Sequence, residues 1–520
     1  MKTLKFLPIV LLSSTTFADP HPAPVVEVTS LSQQTASASS EDKVLPQFSF
    51  EAQKARAIAL AKEAEYRFQL EEEKRIATEK LIQAEQRILQ ETAGYHLLLS
   101  NTTAKIYLDN EFMLLWKDKT AEKLFLKEYA VFAVSGVSQK SANALQQILN
   151  MNDGFARDIL LTDSFLDYLY YTENVDKNAN QWLYNLGSYS TKPPAEYRVA
   201  TWIDAIKQEH HAQFIANLAP KNHIYQETVK KLFEMSSNDV LNHTSNKEKK
   251  SKKAKENSVV STTSFTKLAL NSQRLRLIPS FSNGIFVNIP SYQLYYFRDG
   301  KLALQSKVIV GRDDRRTPVM YSKLSNVVVN PPWNVPSTIK NKDLVPKLRK
   351  DPSLADRLGY EILDGKGNKL SAYNINWAAY EGKNNFPYHI RQKVGDDSAL
   401  GRYKFNMPSS DAIYLHDTPN RGLFSKSSRA LSSGCVRVAK ADELATLLLS
   451  EAGWSLQKKQ DVLASKKTTS APIRSDNPVY LYYVTSWVEG GKVYTLPDIY
   501  QFDKSLPKVN LDWEKIKSVI

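Results

Sequence analysis

The sequence is poor in cysteine, since its 520 residues contain only one, Cys435. A single cysteine excludes a disulfide bond within the chain. No apolar run after the N-terminus approaches the length of about 18 residues that a membrane-spanning helix needs, so we expect a soluble mature protein. The sequence has no glycine-rich phosphate-binding loop, and its eight histidines are scattered. It therefore implies no metal, nucleotide or flavin cofactor.

The N-terminus has the composition of a secretory signal. Two lysines precede a short apolar run at residues 6–12, and small residues follow up to Ala18. Because this run is too short to cross a bilayer, the pattern predicts a signal peptide over residues 1–18 that is cleaved near Ala18. Outside the cytoplasm a free thiol is open to oxidation, so Cys435 is either buried and inert or functional.

The net charge is strongly positive, +14 with a pI near 9.3. Such a charge favours polyanionic surroundings, for example an acidic cell wall or lipid headgroups. Export argues against nucleic acid as the partner. Peripheral contact with a membrane, without insertion, is compatible with the charge. A surplus of lysine that serves solubility alone explains it equally well.

The N-terminal half is expected to be helical after a flexible start. Residues 19–47 are rich in Pro, Ser, Ala and Thr and predict a disordered tether. Residues 48–93 lack Pro and Gly and mix opposite charges, which predicts a long charged helix, either a spacer or an oligomerisation helix. Residues 94–235 carry apolar residues at helical spacing. Within them we interpret His210 and His211 as exposed histidines of one continuous helix.

The C-terminal half is expected to be mainly β. Residues 236–262 form a basic linker whose centre, NKEKKSKKAKEN, holds six lysines. From residue 263 to residue 520 the apolar period changes to two, and Asp299-Gly300 marks a hairpin. A helix-prone stretch and an irregular stretch over 358–400 interrupt the strands. This insertion, about 334–400, is a candidate lid. The expected fold class is thus α+β with several domains.

Residues near Cys435 have the chemistry that a nucleophilic thiol needs. His416, 19 residues earlier after a strand, is the candidate general base, against the alternative of an unrelated surface histidine. Gly434 permits backbone N–H groups to face an oxyanion. Arg437 shares a strand face with Cys435 and is either a carboxylate ligand or part of a surface salt bridge. Tyr414 shares a face with His416 and is either an oxyanion or substrate contact or a core residue.

Two motifs carry a resemblance to a known family. H-D-T-P at His416–Pro419 and S-S-G-C-V-R at Ser432–Arg437 resemble the signature of L,D-transpeptidases with a YkuD-type catalytic domain. Segments such as GIFVNIPSYQLYYF and NVVVNPPWNVP resemble the large YcbB-like periplasmic branch over about residues 274–502. The helical region before them resembles the scaffold domain of that branch.

The resemblance implies roles for particular residues. Cys435 would be the acylated nucleophile and His416 its base and acid. The backbone N–H groups at Gly434 and Cys435, aided by Tyr414, would form the oxyanion site. The expected substrate-binding residues are Arg437, Trp333 and Ser433, with Trp333 at the base of a capping lid. Many smaller members have S-H-G-C, whereas Ser433 here stands in the place of that histidine, as in the large branch.

The resemblance also implies a periplasmic enzyme that forms 3→3 cross-links in peptidoglycan and releases D-alanine through a thioester. Its partners would be stem peptides, with other cell-wall enzymes as further candidates. The same thioester is compatible with an L,D-carboxypeptidase or with lipoprotein attachment to the wall, and a non-catalytic wall scaffold is a different alternative. Large members usually carry a peptidoglycan-binding helical module, and we find no clear copy of it in this sequence.

Overall fold

The computed structural model describes residues 50–235, 262–382, 385–473, 477–504, 506 and 511–520. The predicted signal, the tether over 19–47 and nearly all of the basic linker lie outside these residues. The chain divides into two compact units, residues 1–74 and 75–520. No helix of the described residues has the length and apolar character that a membrane span requires.

The long helix predicted near the N-terminus is confirmed as α1, Phe50–Glu91. Its 42 residues contain neither proline nor glycine, so nothing in the sequence interrupts its backbone hydrogen bonds. Large apolar side chains such as Tyr66 and Phe68 are exposed along its first part. Near its C-terminal end, Ala84 and Ile88 are buried in the core of residues 75–520.

The helical region that follows packs around one long buried helix, α5. The helices are α2 Ser100–Asp109, α3 Lys119–Val134, α4 Gln139–Asn150, α5 Phe155–Trp182, α6 Glu196–Lys207, α7 His211–Ala216, α8 His223–Glu234 and α9 Thr262–Leu275. Side-chain caps begin several of them: Asp118 accepts from the N–H groups of Thr120 and Ala121 at the start of α3. Aspartates at three successive turns of α5 accept hydrogen bonds from neighbouring segments.

The interpretation of His211 as an exposed residue of a continuous helix is wrong. The helix ends at Lys207 and a new one begins at His211, because Glu209 adopts a left-handed backbone with φ of 60°. His211 is buried, and its Nε2 accepts a hydrogen bond from the indole N–H of Trp202 at 2.9 Å. The spacing argument assumed an unbroken helix and therefore failed at this turn.

The C-terminal region is built on one large mixed sheet. Its strands are β1 Gly284–Asn288, β2 Gln293–Arg298, β3 Lys301–Gly311, β4 Met320–Lys323, β5 Asn326–Val329, β10 Tyr403–Asn406, β11 Leu415–His416, β12 Ala430–Ser432, β13 Val436–Val438, β14 Thr469–Pro472 and β15 Pro478–Tyr482. The order across the sheet is β14-β5-β10-β11-β13-β3-β2-β1-β15-β4, and β12 pairs with β3. The predicted hairpin at Asp299-Gly300 is confirmed between β2 and β3.

Further elements surround this sheet. A separate hairpin joins β16 Ser486–Glu489 to β17 Lys492–Thr495. The helices α13 Ala441–Glu451, α14 Leu456–Ser465 and α15 Trp513–Val519 follow the short helices of the insertion. Because β11 lies between β10 and β13, three segments within residues 403–438 lie side by side in the middle of the sheet.

The insertion after β5 has a fold of its own. It contains a second sheet of order β6-β9-β7-β8, formed by β6 Trp333–Asn334, β7 Tyr360–Leu363, β8 Lys369–Leu370 and β9 His389–Gln392. Its helical segments are α10 Ser337–Ile339, a π-helical turn Lys340–Leu344, α11 Val345–Lys350 and α12 Leu354–Arg357. Its apolar side chains form a core separate from that of the main sheet. The prediction of irregular structure over 358–400 is therefore wrong, since short strands lie there.

Candidate active site

The candidate site lies on one face of the three central strands β10, β11 and β13. Lys404 pairs with His416 across the β10–β11 ladder, and His416 pairs with Arg437 across the β11–β13 ladder. Residues directly opposite in a ladder project to the same side of a sheet, so these three side chains form one row. Tyr414 lies two residues before His416, and Cys435 lies two residues before Arg437, so both are next to this row. The Val436 N–H donates to the Tyr414 carbonyl at 3.1 Å.

The loop that carries the cysteine is fixed by short hydrogen bonds. The Ser432 hydroxyl donates to the Cys435 carbonyl at 2.6 Å and accepts from the Gly434 N–H at 3.2 Å. The Thr317 hydroxyl donates to the Gly434 carbonyl at 2.6 Å. Gly434 has φ of 118°, a backbone that favours glycine. The loop thus engages the Gly434 N–H internally, whereas no described residue accepts from the Cys435 N–H.

The tautomer of His416 follows from one contact. Its Nδ1 lies 2.5 Å from the Asp417 carbonyl oxygen. A carbonyl oxygen only accepts, so Nδ1 carries the proton and the Nε2 lone pair is free. The Asp417 carboxylate in turn accepts from the Arg402 N–H at 2.9 Å, which holds this loop beside β10.

The electrostatics favour a neutral thiol and a neutral imidazole. Burial, then the charges of Arg437 and Lys404, lower the pKa of His416 to about 3, although its bond to Asp417 acts in the opposite direction. Burial raises the pKa of Cys435, an effect that Tyr414 and the two cations oppose. The described acceptor of the thiol is the Ala412 carbonyl, 3.8 Å from Sγ.

Tyr414 lies between the cysteine and the base of the insertion. Burial raises the pKa of its hydroxyl; the nearby Cys435 raises it further, and a contact with the Trp333 indole lowers it. The Lys404 ammonium lies 4.2 Å from the centre of the Tyr414 ring. The Tyr414 hydroxyl is therefore protonated at neutral pH and able to donate a hydrogen bond near Cys435.

Ser433 connects the cysteine loop to the insertion. Its hydroxyl accepts from the Arg315 guanidinium at 3.2 Å. The same guanidinium forms a two-pronged ion pair with Asp343 in the π-helical turn, with Nη2 2.9 Å from Oδ1. The structure thus places Ser433 against an arginine that also holds the insertion.

The sequence prediction selected most of this arrangement and missed part of it. Cys435, His416, Tyr414, Arg437 and Gly434 lie together, and Trp333 faces Tyr414. Three further residues went unnoticed, namely Lys404, Asp417 and Arg315. The H-D-T-P motif contains Asp417, and strand alternation in RYKFN was a signal for Lys404, whereas nothing in the sequence connects Arg315 with Ser433.

Comparison with known proteins defines the class. Residues 282–479 match the family model of the YkuD L,D-transpeptidase catalytic domain, and residues 101–232 match that of a scaffold domain. A relative from Haemophilus influenzae named "Putative L,D-transpeptidase" is 47% identical over 451 residues, which cover 86% of this chain and 88% of the relative. The chain belongs to the L,D-transpeptidase family, whose members act on peptidoglycan stem peptides.

Two solved structures are also similar over part of the chain. They are the Ldtfm-avibactam carbamoyl enzyme and the ertapenem-acylated catalytic domain of the E. faecium L,D-transpeptidase. Each is 11% identical over 39% of this chain, with a TM-score of 0.18, and the matches cover 49% and 97% of those chains respectively. With TM-scores this low, neither carries any argument about the site.

Proposed function

We propose that the protein forms 3→3 cross-links between peptidoglycan stem peptides through a Cys435 thioester and releases D-alanine. The observation that carries this proposal is the sheet face that His416 shares with Cys435. Lys404 and Arg437, the ladder partners of His416, both act on the Cys435 thiol. The Nδ1 of His416 is bonded to the Asp417 carbonyl, which leaves Nε2 as the basic nitrogen. A neutral imidazole is the protonation state that a general base needs. Membership of the L,D-transpeptidase family supplies the substrate class.

In the first step the Cys435 sulfur attacks the carbonyl that precedes the terminal D-alanine. The thiol rotates away from the Ala412 carbonyl, and Nε2 of His416 takes its proton. The Cys435 N–H and the Tyr414 hydroxyl stabilise the oxyanion, each such donor contributing about 3 kcal/mol to lowering the barrier. The imidazolium then protonates the amine of D-alanine, which leaves as the thioester forms.

In the second step a side-chain amine of another stem attacks the thioester. His416 takes a proton from this amine, a new amide bond forms, and the proton returns to the sulfur as the thiol leaves. Attack by water instead of an amine would give an L,D-carboxypeptidase, and an amine of a lipoprotein would give wall attachment. The acceptor alone distinguishes these reactions, because the acylation step is the same.

The insertion supports this chemistry by its position. Trp333, in the first strand of the insertion, faces Tyr414 beside Cys435. We assign Trp333 to the wall of the substrate cleft and the insertion to a lid over it. Ser433 takes part through Arg315, which connects the cysteine loop with Asp343 of the lid.

The deciding experiment incubates the purified protein with disaccharide-tetrapeptides and identifies the products by mass. Cross-linked dimers that lack one D-alanine support the proposal, and tripeptide monomers alone indicate a carboxypeptidase. No product with a folded protein contradicts both and favours a non-catalytic wall scaffold. The matched control is Cys435→Ser, which removes the sulfur and little volume.

We further propose that this reaction takes place in the periplasm after removal of residues 1–18. The composition of those residues and the basic charge of the chain support this location. N-terminal sequencing of protein recovered from the periplasmic fraction is expected to begin after Ala18. Recovery of the chain with Met1 from the cytoplasm alone would contradict it.

A further inference from the structure

The row on the sheet face contains two cations, and His416 lies between them. Lys404 precedes His416 in the row and Arg437 follows it, each directly opposite His416 on a neighbouring strand. Both cations interact electrostatically with Cys435, and each lowers the pKa of the thiol. Two positive groups therefore lie within reach of whatever the sulfur attacks.

Neither cation has an acidic partner among the described residues. The Arg437 Nε is fully buried and has no hydrogen-bond acceptor there. Burial lowers the pKa of Lys404 and of Arg437, the effect expected for charges that lose water without gaining a carboxylate. Lys404 instead places its ammonium over the Tyr414 ring. Lys459, which is buried more deeply in the same region, does have such a partner in Asp442.

We propose that Lys404 is a specificity-determining residue that, together with Arg437, binds the terminal carboxylate of the D-alanine about to leave. The inference rests on the proposed function, which places the bond that Cys435 attacks one residue before the chain end. That carboxylate is then the anion nearest the reacting carbonyl. A flexible ammonium on one side of His416 and a planar guanidinium on the other supply the two kinds of donor that a carboxylate accepts.

This assignment explains why two cations without a carboxylate partner are kept in the site. An unpaired buried charge destabilises the folded protein, and a bound carboxylate removes that penalty. It also offsets the two charges that disfavour the imidazolium form of His416. A stem whose terminal carboxylate lies one residue beyond the attacked carbonyl thus makes proton transfer to His416 easier, whereas an amidated stem does not.

The test uses the fact that the chain has a single thiol. Iodoacetate and iodoacetamide alkylate Cys435 with the same chemistry, but only iodoacetate carries a carboxylate. We compare their rate constants in the wild type, in Lys404→Met and in Lys404→Arg. Lys301→Met is the matched control, because Lys301 is an exposed lysine eight residues along β3 from Ile309, the partner of Arg437.

We expect the ratio of the iodoacetate rate to the iodoacetamide rate to fall about 10-fold or more in Lys404→Met, the effect of losing one charge-assisted contact. Lys404→Arg is expected to keep most of the ratio, and Lys301→Met all of it. An unchanged ratio in Lys404→Met overturns the inference. Because a ratio is compared, a general change in thiol reactivity cancels.

A second measurement separates this inference from the proposed function. Tetrapeptide muropeptides with a terminal carboxylate and with a terminal carboxamide are supplied to the same variants. Lys404→Met is expected to lose about 10- to 100-fold in kcat/KM for the acid and little for the amide. Equal losses for both substrates overturn the inference. No turnover by the wild type, together with a lower alkylation ratio in Lys404→Met, rejects the proposed function and leaves the carboxylate-binding role of Lys404 standing.

Discussion

The helical region and the catalytic sheet treat buried charge in opposite ways. In α5, three aspartates are buried, and each accepts hydrogen bonds from several neighbours. Asp158 accepts from the N–H groups of Leu115 at 3.0 Å and Trp116 at 2.8 Å, and from the Tyr107 hydroxyl. On the sheet, Lys404 and Arg437 have no described carboxylate partner. The hydrogen-bonded aspartates join several segments of the helical region, whereas the two cations without a carboxylate partner remain able to bind a ligand.

Burial raises the pKa of all three aspartates, and the pKa of Asp163 reaches about 6. Their hydrogen bonds oppose that shift without removing it. The hydrogen bonds offset part of the free energy of burying these carboxylates, and each carboxylate holds a different segment against α5. Asp163, for example, fixes the chain before α2 through the N–H groups of Leu98 and Leu99.

The largest expected effect is the loss of activity from a substitution in the catalytic sheet. Cys435→Ser is expected to lower acyl-transfer activity more than about 10⁴-fold, because a serine hydroxyl is a far weaker nucleophile without a stronger base. Its free energy of unfolding should stay within about 0.5 kcal/mol of the wild type, since the volume is nearly kept. Product analysis and urea unfolding measure the two quantities. Residual transfer within 10-fold of the wild type would assign the chemistry to another residue.

His416→Gln comes next. Glutamine keeps a polar side chain but removes the basic Nε2, so acylation is expected to slow by about 10²- to 10⁴-fold. The measurement is the single-turnover rate of D-alanine release at neutral pH. The control is His223→Gln at the start of α8, which should leave that rate unchanged. Equal rates for His416→Gln and the wild type would show that another group takes the thiol proton.

Asp158→Ala tests the helical region, where the buried charges are fully hydrogen-bonded. Two backbone N–H groups and one tyrosine hydroxyl lose their acceptor inside the core. We expect a loss of about 3–5 kcal/mol in the free energy of unfolding. Lys404→Met, by contrast, should leave that free energy unchanged or raise it, because it removes a half-buried charge without a partner. Equal losses in urea unfolding would contradict the distinction between the two regions.

The smallest expected effect concerns pH. Burial lowers the pKa of His211 to about 4, below the value near 6.5 of an unfolded histidine. Between those values the unfolded chain binds the proton and the folded chain does not, so stability falls as the pH falls from 6.5 towards 4. The contribution approaches about 1.4 kcal/mol for each pH unit.

His211→Gln removes this titration and keeps an acceptor for the Trp202 indole N–H. Its stability loss on acidification, followed by urea unfolding at several pH values, should be smaller than that of the wild type. Buried aspartates titrate in both proteins and cancel in the difference. Identical pH dependence in the two would show that His211 does not titrate on unfolding.

The sequence predicted the parts of this protein that depend on local pattern. The long helix and the β2–β3 hairpin follow from propensity and turn chemistry, and Cys435 and His416 follow from their motifs. The strands of the insertion are two to four residues long, too short to show a period. His211 was misread because one left-handed residue, Glu209, starts a new helix. Alternation in RYKFN indicates the face on which Lys404 lies, but its position beside His416 depends on the register of β10 with β11, which no local pattern contains.

The row of Lys404, His416 and Arg437 has a consequence for how firmly the site is positioned. Side chains alternate along β10, and Tyr403 and Phe405, which flank Lys404, are buried in the core. A shift of one residue in the pairing of β10 would expose both rings and bury the lysine, so the core opposes it. The same aromatic packing that stabilises the sheet therefore also keeps Lys404 beside His416.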